Sequence, residues 1–439
     1  MTTPICCFAA KYAAGNPVRL HMPGHKGVCD PRDITEITGA DVLYHADGVI
    51  RESEENAASL FGTARTVYST GGSSLCIRAM VYLISLTAPR GRRVKILAAR
   101  NAHRTFVTAC ALLDADVTWL RPEVGGLVSC PVSAGKLEAE ILSCHPDAVY
   151  ITSPDYTGNV ADIAALSEVC RRHSVILAVD NAHGAYLKFL PVSRHPIDLG
   201  ADICCDSAHK TLPVLTGGAY LHISRSAPSL FRECADSAMA LFASTSPSYL
   251  ILGSLDSANA VMADGFPELI AGCAGRVAGL KGRLCAHGFT VVSDEPLKLT
   301  VMTKGFGYTG HEVSLYLESR GIYCEFADPD TVVMMFSPMN RESDFAAVGD
   351  ALCSLKRREA ILSRPPVPEA AEAVMTPHEA IMAVSEKTPV RLSVGKILAE
   401  VSVTCPPAVP VLICGERIGE QSVKCFEYYG IEAVRTVKE

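Results

Sequence analysis

One lysine stands out for what its surroundings would do to it. The apolar run Ile203-Cys204-Cys205 reads as a short buried strand, and it gives way to Asp206-Ser207-Ala208-His209-Lys210. Burial lowers a lysine's pKa, and a neutral amine is a nucleophile that condenses with carbonyls. Upstream, a second apolar run, Val175 to Val179, ends in Asp180-Asn181-Ala182-His183. A lysine after one strand end can hold an aldehyde as a Schiff base. An aspartate at the end of a neighbouring strand can keep a pyridine nitrogen protonated, so that the ring accepts electrons. Together these are the requirements of a pyridoxal phosphate site. Taken alone, a His-Lys pair after a strand is usually just a loop.

The elements that must position these residues alternate regularly. The sequence predicts strands over Val67–Ser69, Val94–Ala98, Val117–Leu120, Ala148–Thr152, Val175–Asp180 and Ile203–Cys205, and a further strand at Gly217–Leu221. Between the earlier of them it predicts helices over Leu75–Leu86, Thr105–Leu113, Lys136–Ser143 and Ala161–Arg172. Strand alternating with helix through short connections means an α/β fold with a mostly parallel sheet covered on both faces. Ligands in such sheets bind beyond the carboxyl ends of the strands, where Asp180 and Lys210 both fall.

Two further loops share that edge. Gly71-Gly72-Ser73-Ser74 precedes a helix, where glycine permits close backbone approach, serines can cap, and the free N–H groups favour a phosphate. Many such turns are plain caps. Arg100-Asn101-Ala102-His103-Arg104 follows the next strand, and an imidazole there could stack on a pyridine ring or be a surface histidine. The turn-rich Ser153 to Asn159 loop also lies on the ligand side.

Composition narrows the class. The chain has 439 residues, with 49% hydrophobic and 20% charged, enough for two or three folded domains. A net charge of −7 without a basic tract argues against nucleic acid. The 18 cysteines are scattered with none at C-x-x-C spacing, so they read as free thiols in a reducing cytoplasm and give neither a disulfide framework nor a metal site. No apolar run reaches membrane-spanning length, and the start lacks the pattern of a signal peptide.

Residues 1–50 read as an arm, with a short apolar helix at Cys6–Ala14 and then Arg19-Leu20-His21-Met22-Pro23-Gly24-His25-Lys26-Gly27, too rich in turn residues for a long element. An amphipathic helix is expected from Gly48 to Phe61. Residues 51–285 form the expected large cofactor domain, whose last part is helical. Strands at Phe289–Val292, Leu297–Met302 and Thr331–Phe336 with helices at His311–Ser319 and Ser343–Lys356 predict a smaller α+β domain over 286–364. Arg364-Pro365-Pro366-Val367-Pro368 marks a break, and 365–439 is a last helical and mixed domain with a strand at Val409–Cys414.

Read together, the Arg19 to Lys26 segment, Gly48-Val49-Ile50, Gly71 to Ser74, Asn101 to Arg104, Val179 to Gly184, Ser207 to Lys210 and Cys405 to Pro410 resemble the bacterial class of ornithine/lysine/arginine decarboxylases. The resemblance covers nearly the whole chain and fits the short members, which lack an N-terminal regulatory domain. It implies the pyridoxal-phosphate-dependent aspartate-aminotransferase fold (type I) and decarboxylation of lysine, arginine or ornithine to the amine and carbon dioxide. By the same resemblance, Lys210 is the Schiff-base lysine and Asp180 pairs with the pyridine nitrogen. His103 stacks on one ring face and Ala182 packs on the other. Gly72, Ser73, Ser74 and Ser207 hold the phosphate with His209 beside it, and His183 lies near the ring oxygen or the substrate carboxylate. It also implies a homodimer or higher homo-oligomer with the site at the interface. Gly71-Gly72 stands where asparagine-glycine is more usual, and Asn181 where an acidic residue is common.

An aminotransferase or lyase on the same fold is the competing expectation, since the same cofactor supports each and the protein chooses by orienting the substrate bond. A non-catalytic homologue is a third. The acid that meets the distal cation of the substrate is open among Asp155, Glu325, Asp328 and an acid of the arm.

Overall fold

The computed structural model describes residues 1–121, 129–404 and 410–438. In chain order the elements through the large sheet are α1 (Pro4–Ala14), α2 (Val49–Phe61), β1 (Arg65–Ser69), α3 (Gly72–Ser85), β2 (Lys95–Ala99), α4 (Arg104–Leu112), β3 (Asp116–Leu120), α5 (Ala134–Cys144), β4 (Ala148–Thr152), α6 (Ile163–Arg172), β5 (Ile176–Asp180), β6 (Ile203–Asp206), α7 (Ala208–Thr211) and β7 (Ala219–Ile223). Three helices follow, α8 (Ser229–Ala240), α9 (Tyr249–Ala263) and α10 (Phe266–His287).

The seven strands hydrogen-bond in the order β1-β7-β6-β5-β4-β2-β3. β4, β5 and β6 run parallel, with Thr152 opposite Asp180 and Asp180 opposite Cys205. This register follows from side chains such as Val149, Tyr150, Leu177, Val179 and Cys204, all fully buried, so each strand is apolar on both faces. β7 runs antiparallel to both β6 and β1, within the mostly parallel sheet that the sequence predicts.

Two compact units divide the chain. One comprises Met1–Leu97, Ser133–Ser153 and Asp162–Glu268. The other comprises Ala98–Val132, Pro154–Ala161 and Leu269–Glu439, and the division falls within β2. In the first unit α1 is anchored, since the Cys6 N–H donates to Asp256 Oδ2 at 2.9 Å. The segment after it exposes Val18, Leu20 and Val28 almost fully.

The second unit continues with β8 (Thr290–Val292), β9 (Lys298–Met302), α11 (Gly310–Glu318), β10 (Phe326–Ala327), β11 (Thr331–Met335) and α12 (Glu342–Cys353). Its antiparallel sheet, ordered β10-β11-β9-β8, is the expected smaller α+β layer. Beyond it lie α13 (Pro377–Met382), β12 (Ser385–Pro389), β13 (Ser402–Thr404), β14 (Pro410–Ile413), α14 (Glu420–Tyr428) and β15 (Ala433–Val437). Leu398, Leu412, Cys425, Phe426 and Val434 form their core. The start of the strand expected at Val409–Cys414, and the Cys405 to Val409 part of the proline motif, lie outside the described residues. No described helix is long and apolar enough to cross a membrane.

Candidate active site

The first unit gathers most of the residues singled out by sequence. Asp180 ends β5 and is 2% exposed. Its Oδ2 accepts the Tyr150 hydroxyl at 3.2 Å, and its Oδ1 accepts the Ala182 N–H at 3.2 Å. Ala182 thereby sits in a turn folded back on the carboxylate. His183, in the same turn, is buried, and its Nε2 lies 2.9 Å from Lys210 Nζ. Lys210 is half-buried in the four-residue α7, which carries it off the end of β6.

Ser207, 2% exposed, donates its hydroxyl to Ser73 Oγ at 2.7 Å, joining the β6 end to the first turn of α3. α3 begins at Gly72 with Gly71 as its N-cap, so Ser73 and Ser74 lie inside the first turn and do not cap it, contrary to expectation. Ser69 holds the turn instead, its Oγ accepting the Gly71 N–H at 3.1 Å and donating to the Gly72 carbonyl at 3.0 Å. Gly72 has a φ of 69°, a backbone that favours glycine, and a Cβ built there meets nothing within 4 Å. Open space therefore lies over the start of a helix, beside two serine hydroxyls. His209 is pinned elsewhere, its Nδ1 3.0 Å from the Gly218 carbonyl oxygen.

His103 belongs to the second unit, where it is the N-cap of α4 and its Nδ1 accepts the Thr105 N–H at 3.2 Å. It lines a cavity of about 630 Å3 with Arg104, Glu400 and Arg435. Burial raises the Glu400 carboxyl above its ordinary pKa, against the pull of the Arg435 N–H and the Arg435 and Arg104 guanidinium groups. Its loop is held by a buried pair that the sequence did not reveal. The Arg100 guanidinium donates to both oxygens of Glu416 at 2.7 Å each, and lies 5.5 Å over the Trp119 ring.

Of the acids considered for a distal cation, two are already used. Asp155 is buried and accepts from the N–H groups of Thr157, Gly158 and Asn159, the Thr157 hydroxyl and the Asn159 amide. Asp328 is buried and accepts from Asp330 N–H, Thr331 N–H and the Thr331 hydroxyl. Glu325 takes one hydrogen bond, from the Tyr156 hydroxyl at 2.8 Å, and lines a cavity of about 250 Å3 with Met334 and Phe336.

The first unit thus offers an amine paired with an imidazole, a buried carboxylate at an adjoining strand end and an open helix N-terminus flanked by hydroxyls. This donor set fits pyridoxal phosphate. Comparison with known proteins agrees. The Orn/Lys/Arg decarboxylase major domain matches residues 31–284, and the C-terminal domain of that family matches 362–438. The chain belongs to the Orn/Lys/Arg decarboxylase family. This decarboxylase is 30% identical over 462 residues to an arginine decarboxylase of Halalkalibacterium halodurans, covering 96% of the chain and 92% of that relative. It is likewise 30% identical over 467 residues to an arginine decarboxylase of Bacillus subtilis, with the same coverages. Its fold is similar to that of the constitutive lysine decarboxylase of E. coli, with a TM-score of 0.80 at 19% identity, over 100% of this chain and 82% of that one. The protein is a pyridoxal-phosphate-dependent decarboxylase of the aspartate-aminotransferase fold, acting on a basic amino acid.

Proposed function

We propose that arginine is the substrate and that the residues converging on the ends of β5 and β6 carry the chemistry. The observation that carries the site is the 2.9 Å approach of Lys210 Nζ to His183 Nε2 beside the turn that starts at Asp180. The near full-length relatives named as arginine decarboxylases support the substrate.

Bound pyridoxal phosphate supplies an electron sink for the charge left when the α-carboxyl departs. Asp180, kept in place by Tyr150 and the Ala182 N–H, would pair with the pyridine nitrogen of the bound cofactor. Lys210, in contact with His183, would act as the nucleophile and later return a proton to the α-carbon. Gly72, Ser73, Ser74 and Ser207 would receive the phosphate, with His209 holding the adjoining strand through Gly218. By the family resemblance, His103 would stack on the ring. Glu325 reads the distal guanidinium, because its carboxylate is less spent on its own fold than those of Asp155 and Asp328.

We also propose a cytoplasmic homodimer with the site at its interface, a role in polyamine formation, and a division into 1–50, 51–285, 286–364 and 365–439. The near-complete exposure of Val18, Leu20 and Val28 supports the interface, and the spans of the two family domains support the division.

The test supplies arginine, lysine and ornithine separately to the wild-type enzyme and to Lys210→Ala. Arginine is expected to give the highest kcat/KM, and Lys210→Ala is expected to give no amine and no borohydride-reduced adduct. A reduced adduct on another lysine overturns the site, and a clear preference for lysine or ornithine overturns the substrate.

A further inference from the structure

Behind the site lies a fully buried polar group that the chemistry above does not use. Asp206, the last residue of β6, is 0% exposed, as are His195, His222 and Asn181. Asp206 Oδ1 accepts the Asn181 amide N–H at 2.7 Å. Its Oδ2 lies 3.0 Å from His195 Nε2 and 3.3 Å from His222 Nε2. The three ligand atoms are close enough to hold an ion. The Ile197 N–H, however, points at His195 Nδ1 at 3.4 Å, so Nδ1 accepts and Nε2 carries the proton it donates to Asp206. This makes the group a hydrogen-bonded clamp. Phe61 covers it, with its ring centroid 4.4 Å from that of His222, and Thr66 Oγ1 holds the other His222 nitrogen at 2.9 Å.

The clamp joins the two strand ends that carry the chemistry. Asn181 lies between Asp180 and Ala182 in one turn, and Asp206 immediately precedes Ser207 and the short helix of Lys210. The backbone repeats the link, since the Asn181 N–H donates to the Cys205 carbonyl at 3.0 Å. We propose that Asp206 and Asn181 are positioning residues, whose side-chain bond fixes the Asp180–His183 turn in register with Ser207 and Lys210. His195 hydrogen-bonds the other Asp206 oxygen, and His222 packs beside it at 3.3 Å. The proposal rests on the assignment of Asp180 and Lys210 to the site.

Geometry makes the pair exchangeable. In Asp206→Asn the new side chain cannot accept from both His195 and Asn181 with one oxygen, and its N–H groups meet the Asn181 amide donor. In Asn181→Asp two carboxylates meet at hydrogen-bond distance. In the doubly exchanged N181D/D206N variant the introduced amide donates to position 181, and its oxygen still accepts from His195. Each single variant is expected to lose about ten- to hundredfold in kcat, the scale of small misplacements at a reacting centre. KM is expected to stay within about threefold. The visible band of the bound cofactor is expected to weaken or shift in both, and the double variant is expected to recover kcat and the band beyond either single.

A purely structural role would lower the melting temperature and leave kcat and the band of the folded enzyme unchanged, which would overturn the proposal. A double variant no better than the worse single would also overturn it. If Asp206→Asn does not fold, Asn181→Ala decides, because it leaves Asp206 with both histidines: reduced kcat supports the clamp and wild-type kcat refutes it. Turnover by Lys210→Ala would instead refute the underlying site assignment, so the two failures are distinguishable.

Discussion

Asp206 shows how a single buried carboxylate ties stability to pH. Burial works against its charge, yet the His195 and His222 imidazoles and their hydrogen bonds outweigh burial and hold its pKa well below the carboxylate range. The unfolded chain therefore binds a proton below about pH 4 that the folded chain refuses, and stability falls as pH drops through that region. His222 adds to the same slope from a higher pH. Burial lowers its pKa, so below about 6.5 the unfolded state again binds the extra proton. Denaturant melts of the wild type from pH 7 to pH 3 should show stability falling throughout, most steeply at the acid end, and Asp206→Asn should flatten the acid end. An unchanged slope in that variant would contradict the assignment of the charge to Asp206. The sequence did not disclose this group, because His195, Asp206 and His222 share no spacing pattern and meet only once β6 and β7 pair. Asp180 and Lys210 were legible because each follows a continuous apolar run, which a strand buried on both faces must have.

At the scale of elements, the short strands and helices past residue 365 were the least legible. β12, Ser385–Pro389, carries almost no apolar residue, and its pairing with β15 buries the hydrogen-bonded hydroxyls of Thr388 and Thr436 instead. Amphipathic periodicity gives no signal for such a strand. The central strands and helices were foreseen to within a few residues, whereas the direction of β7 was not, since an apolar run reads the same whichever way the strand points. Arg100 and Glu416 are equally invisible in sequence, being 316 residues apart. Their bidentate contact is nearly fully buried, and Glu416 Oε2 also accepts the Ile413 N–H at 2.9 Å. Glu416→Ala leaves the Arg100 charge buried and unpaired, a change that costs about 3–5 kcal/mol. The expected result is a clear drop in unfolding free energy by denaturant titration, and a change under about 0.5 kcal/mol, as for an ordinary surface substitution, would show the pair to be dispensable.

At the scale of the molecule, the exposed apolar side chains after α1 are the feature that one chain leaves unexplained. Val18, Leu20 and Val28 are 87%, 89% and 88% exposed, and the proposed dimer would cover them. Leu20→Asp with Val28→Asp should weaken self-association in analytical ultracentrifugation while leaving the melting temperature of the dilute protein nearly unchanged. An unaltered sedimentation profile would remove this segment from the interface. The central claim, that the β5 and β6 ends direct loss of the α-carboxyl rather than amino-group transfer, is tested most directly by product stoichiometry. With a single basic amino acid and no keto acid added, carbon dioxide and the matching amine should accumulate in equal amounts over many turnovers, with the cofactor still in its aldehyde form. Conversion of the cofactor to its amine form after one turnover, without carbon dioxide, would contradict it.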